Sequence, residues 1–309
     1  MKHLKRFNTP ISNYIALTLF FFVLIGLLPA NKLVMRSYNI SAHEYHVLLF
    51  IVELPLAAIW FAAFFGYAKL RDYARSVAKT PEGTGFNRLA FGCQWLVWGL
   101  VLPSIVSLII NAIAANNHPG LHETAVIGIN YLNLVFPLIA FTLISQGAHQ
   151  LIAQGRIRLA VVDIKNIIPL FVVLGVLYCY LTFRHLDLHS LAASNNPYYL
   201  PVWILLLTIT IPYLYAWCIG ILAAYDISLF AKYTKGLLYR RALRLVAGGL
   251  ILVIASLIGV QYLHIVTPRM GHLSLNSLLV TVYLVYVVNV LGFILISIGA
   301  SRLKKIEDI

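Results

Sequence analysis

The sequence predicts an all-α polytopic membrane bundle: eight transmembrane helices in two parallel four-helix repeats, with both termini in the cytoplasm. Three observations predict it: long uncharged apolar runs, a one-sided distribution of Lys and Arg, and an internal repeat. Of the 309 residues 61% are hydrophobic and only 11% charged, whereas a soluble domain carries about 25% charged residues. The mean hydropathy is +0.87. Runs such as 14–29 and 275–300 contain no Asp, Glu, Lys or Arg. About 20 apolar residues at 1.5 Å each are what a helix needs to cross about 30 Å of hydrocarbon.

The spans fall near residues 12–35, 42–68, 89–115, 124–148, 164–184, 198–227, 243–265 and 275–301. The first follows Lys2, Lys5 and Arg6 as a signal peptide would. No small-x-small cleavage site closes it, so it is expected to stay as a helix.

With the N-terminus inside, all but four of the 23 Lys and Arg residues face the cytoplasm, the exceptions being Lys32, Arg36, Arg184 and Arg269. This is the positive-inside asymmetry that orients helices during insertion. It accounts for the net charge of +13 without nucleic acid, which is not an expected partner. The expected partners are the bilayer itself and anionic lipid at the basic segments 69–88 and 232–244, at about 1 kcal/mol per residue near the surface. Cys93, Cys179 and Cys218 all lie within spans and lack CxxC spacing, so no disulfide or zinc framework follows.

Aligning the chain on itself with an offset of about 155 residues pairs positions that composition does not force. Pro55 meets Pro212 and Trp60 meets Trp217; Arg88, Leu89 and Gly92 meet Arg244, Leu245 and Gly248. Residues 141–148 match 293–300 at six of eight positions. The units are therefore 1–155 and 156–309. Each has an even number of helices, so both enter the membrane in the same sense, related by an axis along the membrane normal. Each second helix carries small residues four apart, Ala58, Ala62 and Gly66 in one and Ala216, Gly220 and Ala224 in the other, a spacing that lets a neighbouring backbone approach closely. Pro55 and Pro212 are expected to kink these helices at matched depth.

Ionisable side chains within hydrocarbon are costly and mark function. Here the principal one is Glu53. Its helix opens with a capping box, Ser41 to Glu44. Spacings of three and four then place His43, His46, Phe50, Glu53 and Ala57 on one face. Eight of the ten histidines stand at outer ends of spans, two in each outer connection: His43 and His46, His118 and His122, His185 and His189, His264 and His272. Imidazoles with carboxylates suit zinc, copper or nickel, and imidazole also senses pH between about 5 and 8. The first metal candidate is His43, His46 and Glu53, and the second is His185 with His189. The competing reading is that outer segments exclude Lys and Arg, leaving histidine as a neutral polar filler.

A second candidate site, for a ligand or a proton, combines Glu53 with Trp60, Trp217, Asn133 and Asn289. The two tryptophans lie too deep for an interfacial belt and serve as core anchors or cavity walls. Asn130, Asn133 and Asn289 suit interhelical hydrogen bonds. Asp226 is expected to pair locally or face water, with no role assigned.

The chain has no Walker loop, HExxH or GxSxG motif, so an enzyme is not expected. No cofactor is implied beyond a divalent transition metal at the outer face. The first expectation is a sensor-like or regulatory binding module that takes a ligand, metal ion or protons at that face and acts through a cytoplasmic output protein. A transporter or channel for a small neutral or hydrophobic solute, with Glu53 in its path, is the second. A membrane scaffold or assembly protein is the third.

Overall fold

The computed structural model describes residues 54–117, 119–154, 172–173, 211–266 and 275–307. Six long helices lie in this part, and no strand occurs among the described residues: α1 Leu54–Ser76, α2 Gly83–Asn117, α3 Pro119–Gln154, α4 Ile211–Tyr233, α5 Leu237–Val266 and α6 Leu275–Glu307. Four stretches are long and apolar enough to cross a membrane, Leu132–Ile152, Ile211–Tyr233, Leu237–Gly259 and Tyr283–Lys304. The expected spans at 12–35 and 164–184 lie outside the described residues, apart from Val172 and Val173.

The helices overrun the apolar stretches that predict them, α3 at both of its ends and five others at the end rich in Lys and Arg. The second, sixth and eighth spans were expected to end at 68, 227 and 301, but α1, α4 and α6 reach Ser76, Tyr233 and Glu307. The third and seventh were expected to begin at 89 and 243, but α2 and α5 begin at Gly83 and Leu237. Hydrocarbon thickness limits the apolar run; it does not limit backbone hydrogen bonding. Lys and Arg are good helix formers whose aliphatic stems lie along apolar surface while their charges reach water. Turn chemistry stops the helices instead. Between α1 and α2 the Thr80 amide bonds the Val77 carbonyl at 2.8 Å and the Gly83 amide bonds the Thr80 carbonyl at 3.0 Å. Between α4 and α5 Gly236 takes φ of 101°, a left-handed conformation that only glycine adopts without strain.

Each helix packs against the next, and α6 returns to α1, so the six form a closed ring. One apolar core runs through all of them. Phe65, Phe91, Tyr215, Leu284 and Leu291 point outward, an apolar exterior suited to lipid. Every Lys and Arg of the described residues lies at the end of the ring that holds the α1–α2 and α4–α5 turns.

Two contacts hold the α2–α3 and α5–α6 pairs at backbone distance. A Cβ on Gly92 would lie 2.5 Å from Ile144 Cγ1 and 2.7 Å from the Ala140 carbonyl; one on Gly249 would lie 2.5 Å from the Gly292 carbonyl and 2.7 Å from Ile296 Cγ1. Without hydrophobic transfer to drive helices together in lipid, such close backbone approach is what holds them. Two of the other neighbour pairs, α3–α4 and α6–α1, form seams between the chain's two halves. Gly66 of α1 sits against the Phe293 carbonyl of α6, at 3.1 Å from its would-be Cβ; Gly220 of α4 sits 2.9 Å from Phe141 Cδ1 of α3 on the same measure. Both seams run parallel, because later residues of one helix meet later residues of the other.

One sequence expectation changes here. Of the small residues in α1, Gly66 is buried but Ala58 is exposed, so only the α4 set, Ala216, Gly220 and Ala224, is buried throughout. The kinks expected at Pro55 and Pro212 fall at the edge of the described residues, where the preceding turn lies outside them. Pro103 and Pro137 lie inside α2 and α3.

Candidate functional site

The metal candidates His43, His46, Glu53, His185 and His189 lie outside the described residues. Among the described residues no group of three or more His, Cys, Asp or Glu is placed to hold a metal ion.

The remaining predicted site residues sit on four different helices. Trp60 of α1 is 6% exposed and Trp217 of α4 is 1% exposed, the latter stacked at a tilt on Tyr213 with ring centroids 5.7 Å apart. Both are core residues, as their depth in the sequence implied. Asn133 of α3 is half-buried. Asn289 of α6 is buried, and its Nδ2 donates to Ser256 Oγ of α5 at 2.6 Å. That hydroxyl in turn donates to the Val253 carbonyl at 2.7 Å, while Asn289 Oδ1 has no hydrogen-bond partner among the described residues. The pair is thus an interhelical clamp across α5–α6. Replacing Asn289 with alanine should cost about 0.6–2 kcal/mol of stability, the range of polar contacts between membrane helices. Reversible unfolding in mixed micelles measures this.

Sequence reading passed over the polar chemistry at the basic end of the ring. Tyr73 and Tyr239 share a hydroxyl hydrogen bond of 2.9 Å, and Tyr239 donates to Glu82 Oε2 at 3.3 Å. This link joins α1, the α1–α2 turn and α5, and so ties two helices that are not neighbours in the ring. On its other side α1 sends the Tyr67 hydroxyl to Gln94 Oε1 of α2 at 3.2 Å, and Arg71 donates to the same hydroxyl. Lys304 of α6 pairs with Asp72 of α1 at 3.9 Å, with both side chains nearly half exposed.

Asp226 contradicts its expectation of facing water. It is 3% exposed, on the buried face of α4 with Ala223, Ile227 and Phe230. The sequence carries no local signal for that burial, because the half-exposed Asp72 stands at the matching place. Asp72 follows Gly66, and Asp226 follows Gly220, at the same interval. Both glycines are seam residues, so both carboxylates fall at the basic end of a seam.

These observations define a class: a helical membrane protein whose outer surface is apolar and whose polar contacts between halves gather at one basic end. No family model, no curated protein and no solved structure matches the chain.

Proposed function

We propose that the protein is a membrane-embedded regulatory binding module of eight spans, two parallel four-helix units with both termini and the basic end in the cytoplasm. It takes a ligand, a transition-metal ion or protons at its outer face and passes the change to a cytoplasmic partner. The carrying observation is the separation of two polar regions along the seams. Contacts that join the halves, Tyr73–Tyr239–Glu82 and Asp72–Lys304, lie at the basic end. Of the outer histidines, the described ones, His122 and His264, stand in the terminal turns of α3 and α5 at the opposite end. An event at one end reaches the other only through the seams, and packed helices that slide against each other are a common way to carry it.

The duplication is supported by paired contacts. Gly92 against Ala140 and Ile144 is repeated by Gly249 against Gly292 and Ile296; Gly147 against Gly85 and Leu89 is repeated by Gly299 against Ala242 and Val246. These contacts pair Gly92 with Gly249, one position beyond the Gly248 that sequence alignment chose. The seams pair Gly66 with Gly220, which leaves Trp60 and Trp217 three residues out of register. The basic end favours anionic lipid as its surroundings.

Thermal unfolding of the detergent-purified protein with zinc, copper or nickel, for wild type and His46→Ala, tests the module. A metal that binds only the folded state, at 100 times its dissociation constant, should stabilise wild type by about 2.7 kcal/mol and leave His46→Ala unchanged. Solute flux into proteoliposomes that Glu53→Gln abolishes would replace the module by a transporter.

A further inference from the structure

The facing residues of the α2–α3 pair keep one register along its length. A Cβ on Gly85 would lie 2.8 Å from Leu151 Cδ2, one on Gly147 2.9 Å from the Leu89 amide nitrogen, one on Gly92 2.5 Å from Ile144 Cγ1, and one on Gly99 3.8 Å from Pro137 Cδ. Each step along α2 between these contacts is matched by an equal step back along α3, so the next facing pair is Pro103 with Asn133. The two interior prolines, both buried, therefore fall within one turn of each other across the interface.

Proline has no N–H to give, and its ring crowds the carbonyl four residues earlier. Pro103 thus strips the Gly99 carbonyl of its helical donor, and Pro137 strips that of Asn133. A helix carbonyl lies between its own residue and the one four further on, so both oxygens stay on the facing stripe, between the Gly99–Pro137 level and the Pro103–Asn133 level. Asn133 adds its carboxamide, which is half-buried and makes no hydrogen bond among the described residues. Gly99 is also only half-buried, so packing does not seal this turn. The second half is built differently. Its matching places hold Ser256 and Asn289, bonded to each other at 2.6 Å, and Val260 and Val285 stand where the first half has Pro103 and Asn133. One half closes this level with its own hydrogen bond; the other leaves oxygen atoms without donors.

A carbonyl stripped of its donor at membrane depth is costly until another group replaces that donor. These oxygens are hard, neutral ligands, which suit a hard cation rather than a transition metal. No Asp, Glu, Lys or Arg occurs from Leu89 to Asn117 or from Thr124 to Gln154, so neither helix offers a carboxylate to offset a double charge, or a cation of its own. We propose that this turn of the α2–α3 pair binds a small monovalent cation through the Gly99 and Asn133 carbonyl oxygens and the Asn133 carboxamide oxygen, with water completing the shell. Backbone carbonyls released from helical hydrogen bonding coordinate sodium in this way in other membrane helices. The ion ties α2 to α3 beyond their last glycine contact. The site uses none of the outer histidines and does not depend on what the outer face binds.

Thermal unfolding of the full-length protein in detergent, in sodium chloride against choline chloride at equal ionic strength, tests this. Sodium at about 100 times its dissociation constant should raise the wild-type unfolding temperature by about 5 °C over choline. Pro103→Ala and Pro137→Ala give the two carbonyls their donors back and should each lose most of that shift. Asn133→Val installs the residue found at the matching place of the second half; it removes the carboxamide oxygen and should lose half of the shift or more. Equal unfolding temperatures of wild type in the two salts overturn the proposal, as does a full sodium shift in Asn133→Val or in both proline variants. If the proline variants unfold below wild type in choline, the Asn133→Val comparison decides alone.

Discussion

Gly249→Ala should destabilise the protein by about 1–3 kcal/mol, the cost of overpacking a filled core, while Gly248→Ala, one residue away, should be neutral or stabilising by up to about 1 kcal/mol. The two differ only in which way the missing Cβ points. At Gly249 it would lie 2.5 Å from the Gly292 carbonyl and 3.0 Å from the Ile296 amide nitrogen. Those are backbone atoms, which cannot step aside as a side-chain tip can, so α5 and α6 must separate along their length. At Gly248 nothing lies within 4 Å, and alanine simply removes unfolded-chain freedom. Gly292 faces the Gly249 carbonyl at 2.8 Å from its own would-be Cβ, so Gly292→Ala should behave like Gly249→Ala. Unfolding in mixed micelles, followed by far-ultraviolet circular dichroism, measures all three. A Gly248→Ala variant as damaged as Gly249→Ala would mean that the α5–α6 interface is rotated by one residue from the one described.

That one-residue distinction also marks how far the sequence was legible. The helical membrane class could be read directly, because hydrocarbon thickness and the scarcity of charge leave few other solutions. The helix ends could not, since Lys69, Arg71, Arg75, Arg240 and Arg241 interrupt the apolar signal without interrupting the backbone. Nor could register within the repeat. Gly248 and Gly249 are equivalent to an alignment that sees only letters, and just one of them touches Gly292.

Side-chain chemistry was legible in proportion to how local its cause is. The tryptophans were placed in the core correctly, because depth along a helix follows from counting residues. Asn289 was read as a polar residue seeking a partner on another helix. Its partner, Ser256, could not be named, because nothing local encodes which helices meet. Asp226 was misjudged for the same reason. Five residues from Ala231 and Lys232 it looks like a helix-end residue close to water, but α4 continues to Tyr233 with Asp226 among its buried residues. Its burial follows from the ring closing, which composition does not reveal.

Phe141→Ala and Phe293→Ala should each cost about 2 kcal/mol, whereas Phe65→Ala should change stability by no more than about 0.5 kcal/mol. Phe141 is fully buried and Phe293 nearly so, each at the seam glycine of the opposite half; Phe65 is 55% exposed on the outer surface of α1. In a soluble core, Phe→Ala costs about 3–5 kcal/mol, which combines lost transfer from water with the cavity left behind. In the bilayer, separated helices already lie among acyl chains as apolar as phenylalanine, so the transfer part largely drops out. The cavity and its lost dispersion contacts remain, which brings the expected cost to the lower figure at the seams. At Phe65 lipid fills the vacated volume and even that part disappears. The seams are three helices apart around the ring, so the double variant should equal the sum of the singles within about 0.5 kcal/mol, as for distant sites without shared partners. A Phe65→Ala cost as large as that at the seams would mean that the outer surface of α1 is a protein interface. A double variant far from additive would mean that the two seams open as one.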